Sequence, residues 1–128
     1  MEDVFVKKSK IHGKGVFANR DFKKGEIVIK YSLKVLTEEE FHNLSKSEKQ
    51  FTSFHDGKYF LFPSPERYVN HSCEPNVHPN LKDKYDVCIK DIKKGEEILA
   101  DYTKEGVPEL NLKCNCGSKN CKKIIKND

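Results

Sequence analysis

No apolar run in this chain is long enough to cross a bilayer, and no charged start leads into the hydrophobic middle of a secretory signal. Those absences lead us to expect a protein that works inside the cell. Apolar residues are themselves scarce, 36% of 128 against 34% charged, so the core must be economical. The length suits one domain with a single modest core. A block of charge of one sign is missing too. The formal charge is +4, with lysines spread along the whole chain. Solubility explains that pattern, and it does not by itself indicate nucleic acid. Finally, the cysteine count is not even, and five thiols argue against a closed disulfide framework.

Clustered cysteines in a reducing compartment are more often metal ligands than bridges. Cys114, Cys116 and Cys121 form a C-x-C-x4-C run with Gly117 and Asn120 to let the loop fold back. Thiolates at that spacing converge on one soft ion, and zinc is the natural choice. A closed structural site needs a fourth ligand. Cys88 sits between Val87 and Ile89, where a strand residue faces a core, and reads as a small buried hydrophobe. Cys73 lies in the polar stretch RYVNHSCEPNV (67–77), where packing gives it no reason to be. Cys73 is therefore the expected fourth ligand, with His71 and His78 as formal competitors.

The pattern along the chain is mainly β. Strands are expected over Val4–Ser9, at the end of Ile11–Phe22, over Glu26–Leu36, over Lys84–Ile92 and over Glu97–Tyr102. Thr37 followed by Glu40 makes a capping box for one helix over 38–50, with Phe41 and Leu44 facing inward. Asp56-Gly57 marks a hairpin within Phe51–Pro63. DFKKGEIV at Asp21 and DIKKGEEI at Asp91 repeat one phrase, which we read as two similar turns with Gly25 and Gly95 at positive φ.

Four stretches, in order, resemble the motifs of SET-domain protein lysine methyltransferases with a post-SET zinc segment: HGKGVFA (12–18), RYVNHSCEPNV (67–77), GEEILADY (95–102) and CNCGSKNCKKII (114–125). The resemblance covers about Lys10 to Ile125, and agreement of context makes it specific. It implies a SET domain over 1–110, with a short helical, substrate-groove insert over 37–66, and a zinc-bound post-SET segment over 111–128. The implied fold is one of small β-sheets whose C-terminal strand passes the Asn-His motif as a pseudoknot. S-adenosylmethionine would lie on one face, and a target lysine would enter a narrow channel from the other.

The resemblance also implies roles. Tyr102 would be the principal catalytic tyrosine and Tyr31 a second channel tyrosine. Lys14, Gly15 and Val16 would approach the cofactor, Asn70 and His71 would contact its amino group and adenine, Arg67 and Tyr68 would buttress them, and Leu112 would cover the adenine. One structural zinc would sit on Cys73, Cys114, Cys116 and Cys121. Tyrosine suits such a channel because its ring is an apolar wall and its hydroxyl orients an amine. Two departures matter. Leu33-Lys34 stands where the family shows Gly-Glu, and Ala100 replaces a ring, which leaves room for a methylated amine and favours di- or trimethylation. The expected partner is a protein with an exposed lysine, a histone or other basic protein, in the cytoplasm or on chromatin or a nucleoid according to organism. No membrane partner is expected, and no aromatic platform for single strands is evident. The alternative is a zinc-stabilised interaction module of the same fold without catalysis.

Overall fold

The computed structural model describes residues 2–108 and 110–126. Met1, Glu109, Asn127 and Asp128, which belong to the two expected segments 1–110 and 111–128, lie outside the described residues. In chain order the strands are β1 (Val4–Lys8), β2 (Lys14–Ala18), β3 (Ile27–Lys30), β4 (Lys34–Leu36), β5 (Thr52–His55), β6 (Lys58–Leu61), β7 (Asn70–His71), β8 (Val77–Asn80), β9 (Tyr85–Cys88), β10 (Glu97–Ala100), β11 (Asn111–Lys113) and β12 (Ile124–Lys126). They form four small sheets, ordered β1-β2-β10-β7, β4-β6-β5, β3-β9-β8 and β11-β12. The mainly β expectation holds.

The main core lies between the first and third of these sheets, with Val16, Phe22, Val77, Ile92 and Ile98 almost wholly buried. Cys88 is buried there as a small hydrophobe, as its strand position predicts. A second cluster of Val107, Leu110, Cys114 and Ile125 seats the tail. Strand β10 is the pivot. It pairs antiparallel with β2 and parallel with β7, matching Leu99 to Asn70 and Ala100 to His71. Strand β10 therefore runs beside the Asn-His motif.

The repeated Lys-Lys-Gly-Glu turns face each other. Phe22 and Ile92 exchange backbone hydrogen bonds of 2.7 and 2.9 Å. The Lys24 N–H donates to Asp91 and the Lys94 N–H to Asp21, at 2.9 and 2.8 Å. Gly25 and Gly95 both adopt positive φ, 98° and 93°. Each aspartate thus caps the other copy's turn, which explains why the phrase recurs.

Two expected elements are divided. The strand over Glu26–Leu36 becomes β3, paired with β9, and β4, paired with β6. A bulge between Ile27 and Ile29 disturbs the alternation, and the Ser32 N–H donates to the Glu66 carboxylate at 2.8 Å instead of to a neighbouring strand. A side chain there takes the donor that a ladder would need. The single helix over 38–50 becomes α1 (Glu38–His42) and α2 (Lys46–Lys49). Both bonds of the Thr37–Glu40 capping box form, but Ser45 accepts from the Glu48 N–H and starts a second helix. Phe41 is buried and Leu44 half-buried. The hairpin turns at Asp56 (φ 53°) and Gly57 (φ 72°), the two positive values a tight two-residue turn demands.

Candidate active site

Tyr102 lies one residue beyond β10 and opens a short 3-10 turn. Asp101 caps that turn by accepting from the Thr103 N–H at 3.0 Å. Three contacts then hold the tyrosine. Its hydroxyl donates to the Val69 carbonyl at 2.6 Å, its N–H donates to His71 Nδ1 at 3.0 Å, and its ring meets the His71 ring edge-on. Burial pushes its hydroxyl pKa up, with Glu105 and Glu97 adding to the effect, so it stays a neutral phenol.

His71 is neutral as well. Burial lowers its pKa more than Asp101 raises it. Asp101 Oδ1 is 3.8 Å from Nδ1, but that nitrogen already accepts from Tyr102, so the contact is not an ion pair. The ring proton therefore sits on Nε2, 3.6 Å from Cys73 Sγ.

Asn70 is buried beside it. Its amide nitrogen donates to the His12 and Lys14 carbonyls at 3.2 and 3.1 Å and to Glu97 Oε2 at 2.8 Å. Its Oδ1 has no partner among the described residues. Glu97 also accepts from Ser9 at 2.9 Å. Gly15 is what admits that carboxylate, since a Cβ on it would lie 2.3 Å from Glu97 Oε2.

Lys14, Tyr68, Asn70, His71, Tyr102 and Leu112 line one cavity of about 310 Å³. Gly15 and Val16 do not line it; Val16 is wholly buried in the core behind. Lys14 Nζ stands 5.5 Å over the Tyr68 ring, a cation near the cavity. Arg67 buttresses the motif from the insert side, donating to the Phe62 carbonyl at 2.9 Å, covering the Phe51 ring and reaching Glu48 at 3.4 Å. Leu112 comes from β11 and belongs to the cluster that seats the tail. Tyr31 stands apart from this cavity. It packs edge-on to Phe62, and its hydroxyl donates to Asp86 Oδ1.

The sulfur atoms of Cys73, Cys114, Cys116 and Cys121 all lie within 4.8 Å of one another. Cys73 and Cys114 are 4.0 Å apart. A tetrahedral zinc site with bonds of about 2.3 Å separates its sulfurs by about 3.8 Å, so the four thiols fit that ion. Burial pushes Cys114 up to about 12. At Cys116 burial acts in the same direction, but backbone N–H groups of Cys73 and Ser118, together with bonds to Cys114 and Cys121, outweigh it and bring the thiol to about 6. The Lys122 N–H donates to Cys73 Sγ at 3.3 Å, and Asn120 reaches Glu74 at 3.3 Å, so the tail grips the central loop around the sulfurs.

A family profile described as SET domain matches residues 13–103, most of the chain. The chain belongs to the SET domain family. It is 33% identical over 151 residues to human histone-lysine N-methyltransferase 2B, which covers 97% of the chain and 5% of that protein. It is 31% identical over 134 residues to the histone-lysine N-methyltransferase, H3 lysine-36 specific, of Saccharomyces cerevisiae, with 92% and 18% covered. The chain thus spans a small part of either relative. The methyltransferase domain of human histone-lysine N-methyltransferase SETMAR superposes over all of this chain and 59% of its own, with a TM-score of 0.74 and 25% identity.

SET domains use S-adenosylmethionine. The cavity volume lies at the lower end of small-molecule sites, and the free Asn70 oxygen and the Lys14 cation complement a ligand carrying an ammonium and a carboxylate. The residues present fit the group. Three carboxylates in this SET domain were missed by sequence reasoning: Glu97, Asp86 and Glu105. Asp86 had a legible signal. It lies two residues before Cys88 on one strand, so a core-facing Cys88 puts Asp86 on the buried face as well.

Proposed function

We propose that this SET domain transfers methyl groups from S-adenosylmethionine to lysine side chains of proteins. The observation that carries the reading is Tyr102, fixed at hydroxyl, ring and backbone against Val69 and His71 on the wall of the cavity. When bound, the cofactor supplies an electrophilic methyl group on a sulfonium sulfur. The chain's part is alignment and exclusion of water. Lys14 forms one wall with Gly15 and Val16 behind it, Tyr68, Asn70 and His71 form the floor, and Leu112 covers the adenine. Asn70 Oδ1 accepts from the cofactor's amino group. Tyr102 and Tyr31 line the lysine channel, and the Tyr102 hydroxyl orients the amine.

Cys73, Cys114, Cys116 and Cys121 hold one structural zinc that ties the floor to the cover. Ala100, wholly buried and in register with His71, leaves space for di- or trimethylation. The substrate is a histone or another basic protein, on chromatin, a nucleoid or in the cytoplasm according to organism. No helix among the described residues is long and apolar enough to cross a membrane.

The test is mass spectrometry of a histone and cell-lysate pool incubated with S-adenosylmethionine and the enzyme. Lysine methylation that falls by about 10²-fold or more in Tyr102→Phe is expected, with two or three methyl groups per lysine. Cofactor binding with no methylation of any pool protein, in folded wild type, favours the silent interaction module.

A further inference from the structure

Three carboxylates are buried around Tyr31: Asp86 is 2% exposed, Glu66 7% and Glu105 9%. Among the described residues no lysine, arginine or histidine forms an ion pair with any of them. Glu66 accepts from the Ser32 N–H, and Asp86 accepts from the Tyr31 hydroxyl. The Glu105 carboxylate has no partner among the described residues. Its backbone is nevertheless fixed, with its carbonyl accepting from Ser53 Oγ at 2.6 Å and its N–H donating to the Tyr102 carbonyl at 3.1 Å. Lys84, two residues from Asp86, turns away: its Nζ donates to the Leu81 carbonyl and rests over Phe60.

A buried carboxylate is costly unless a cation or donors meet it. Burial pushes Asp86 up to about 7, with Glu66 adding to the rise and the Tyr31 bond opposing it. Burial and then Asp86 and Asp101 push Glu105 well above the carboxylate range. Glu105 also raises both Tyr31 and Tyr102, after burial in each case, so its carboxyl lies near both tyrosines. Among the described residues this cluster around Tyr31 has no cation of its own. A lysine substrate brings one.

We propose that the Tyr31–Asp86 pair accepts the proton that the substrate ammonium must lose before methyl transfer. The inference rests on the lysine-methyltransferase reading above. Because the Tyr31 hydroxyl gives its hydrogen to Asp86, its oxygen is free to accept from an N–H. One N–H bond of the ammonium breaks and its proton passes to the Tyr31 oxygen. Tyr31's own proton passes to the Asp86 carboxylate. The electron pair left on nitrogen is the nucleophile, and the proton on Asp86 is later lost to water. Asp86 acts through Tyr31 and is a positioning residue.

The test is the pH profile of methyl transfer to a core-histone pool by wild type, Asp86→Asn and Tyr31→Phe, beside S-adenosylhomocysteine affinity. Wild type should level off above about pH 7, where its acceptor is ionised. Both variants should bind the cofactor product normally, run about a thousandfold slower near pH 7 and recover tenfold per pH unit towards about pH 10, as lysine deprotonates in solution. A folded, cofactor-binding Asp86→Asn with the wild-type profile overturns the proposal. If wild type methylates no histone, n-butylammonium is titrated against carboxyl-labelled protein and followed by NMR. A shift of the Asp86 carboxyl that Asp86→Asn removes supports the Tyr31–Asp86 acceptor even though the histone reading fails; no shift in folded wild type overturns it.

Discussion

At the scale of single residues, Gly15 shows how one missing side chain organises the site. A Cβ there would meet Glu97 Oε2 at 2.3 Å and Ser9 Cβ at 3.0 Å. The displaced carboxylate would no longer accept from Asn70, whose buried amide would lose its charged partner. Gly15→Ala should therefore cost about 1–3 kcal/mol of stability, read by denaturant unfolding. It should also weaken S-adenosylhomocysteine binding in calorimetry at a temperature where the variant is fully folded. Unchanged affinity in the folded variant would detach Asn70 from the cofactor. The glycine pair was legible in HGKGVFA; its reason was not, because Glu97 reaches Gly15 only once β10 lies on β2. Tyr31 teaches the same lesson. Its place near a channel came from resemblance, whereas its bond to Asp86 joins the end of β3 to the middle of β9.

Elements were legible where their signals are local. The capping box forms as read, with the Glu40 N–H donating to Thr37 at 3.0 Å and the Thr37 N–H to Glu40 at 2.9 Å. Thr37→Ala should cost about 1 kcal/mol, visible as a lower denaturation midpoint with an unchanged slope. A neutral result would mean that Phe41, stacked on Tyr59 at 4.0 Å, holds α1 without its cap. What the pattern did not carry was where continuity breaks. Ser45 competes for the helix as a second cap, and Glu66 takes the Ser32 donor from across the insert. Four short strands also escaped notice, β7, β8, β11 and β12, each only two to four residues long. Runs that short have too few side chains to show a period.

For the whole molecule the decisive joint is the one between the tail and the central loop. Cys73 brings its sulfur to the three tail cysteines, and the same cluster packs Tyr102 and Leu112. With the proposed zinc on these sulfurs, metal binding and docking of the tail would be one event. Cys73→Ser should lower bound zinc, measured by atomic emission, open the chain to proteolysis beyond Glu105 and reduce cofactor affinity. Cys88→Ser, buried in the other core, should keep its zinc. Full zinc in Cys73→Ser would remove Cys73 from the ligand set.

By itself the sequence determined the mainly β class, the capping box, the two glycine turns, the hairpin and the identity of the four converging cysteines. All of these rest on neighbours a few residues apart or on a ligand chemistry that admits few residue types. Only the tertiary structure decided that Glu97 anchors Asn70, that His71 stands between the Tyr102 backbone and Cys73, and that Asp86, Glu66 and Glu105 are buried together near Tyr31. Those arrangements join segments that meet only when the sheets close. Their energies come from burial and charge, which no local pattern records.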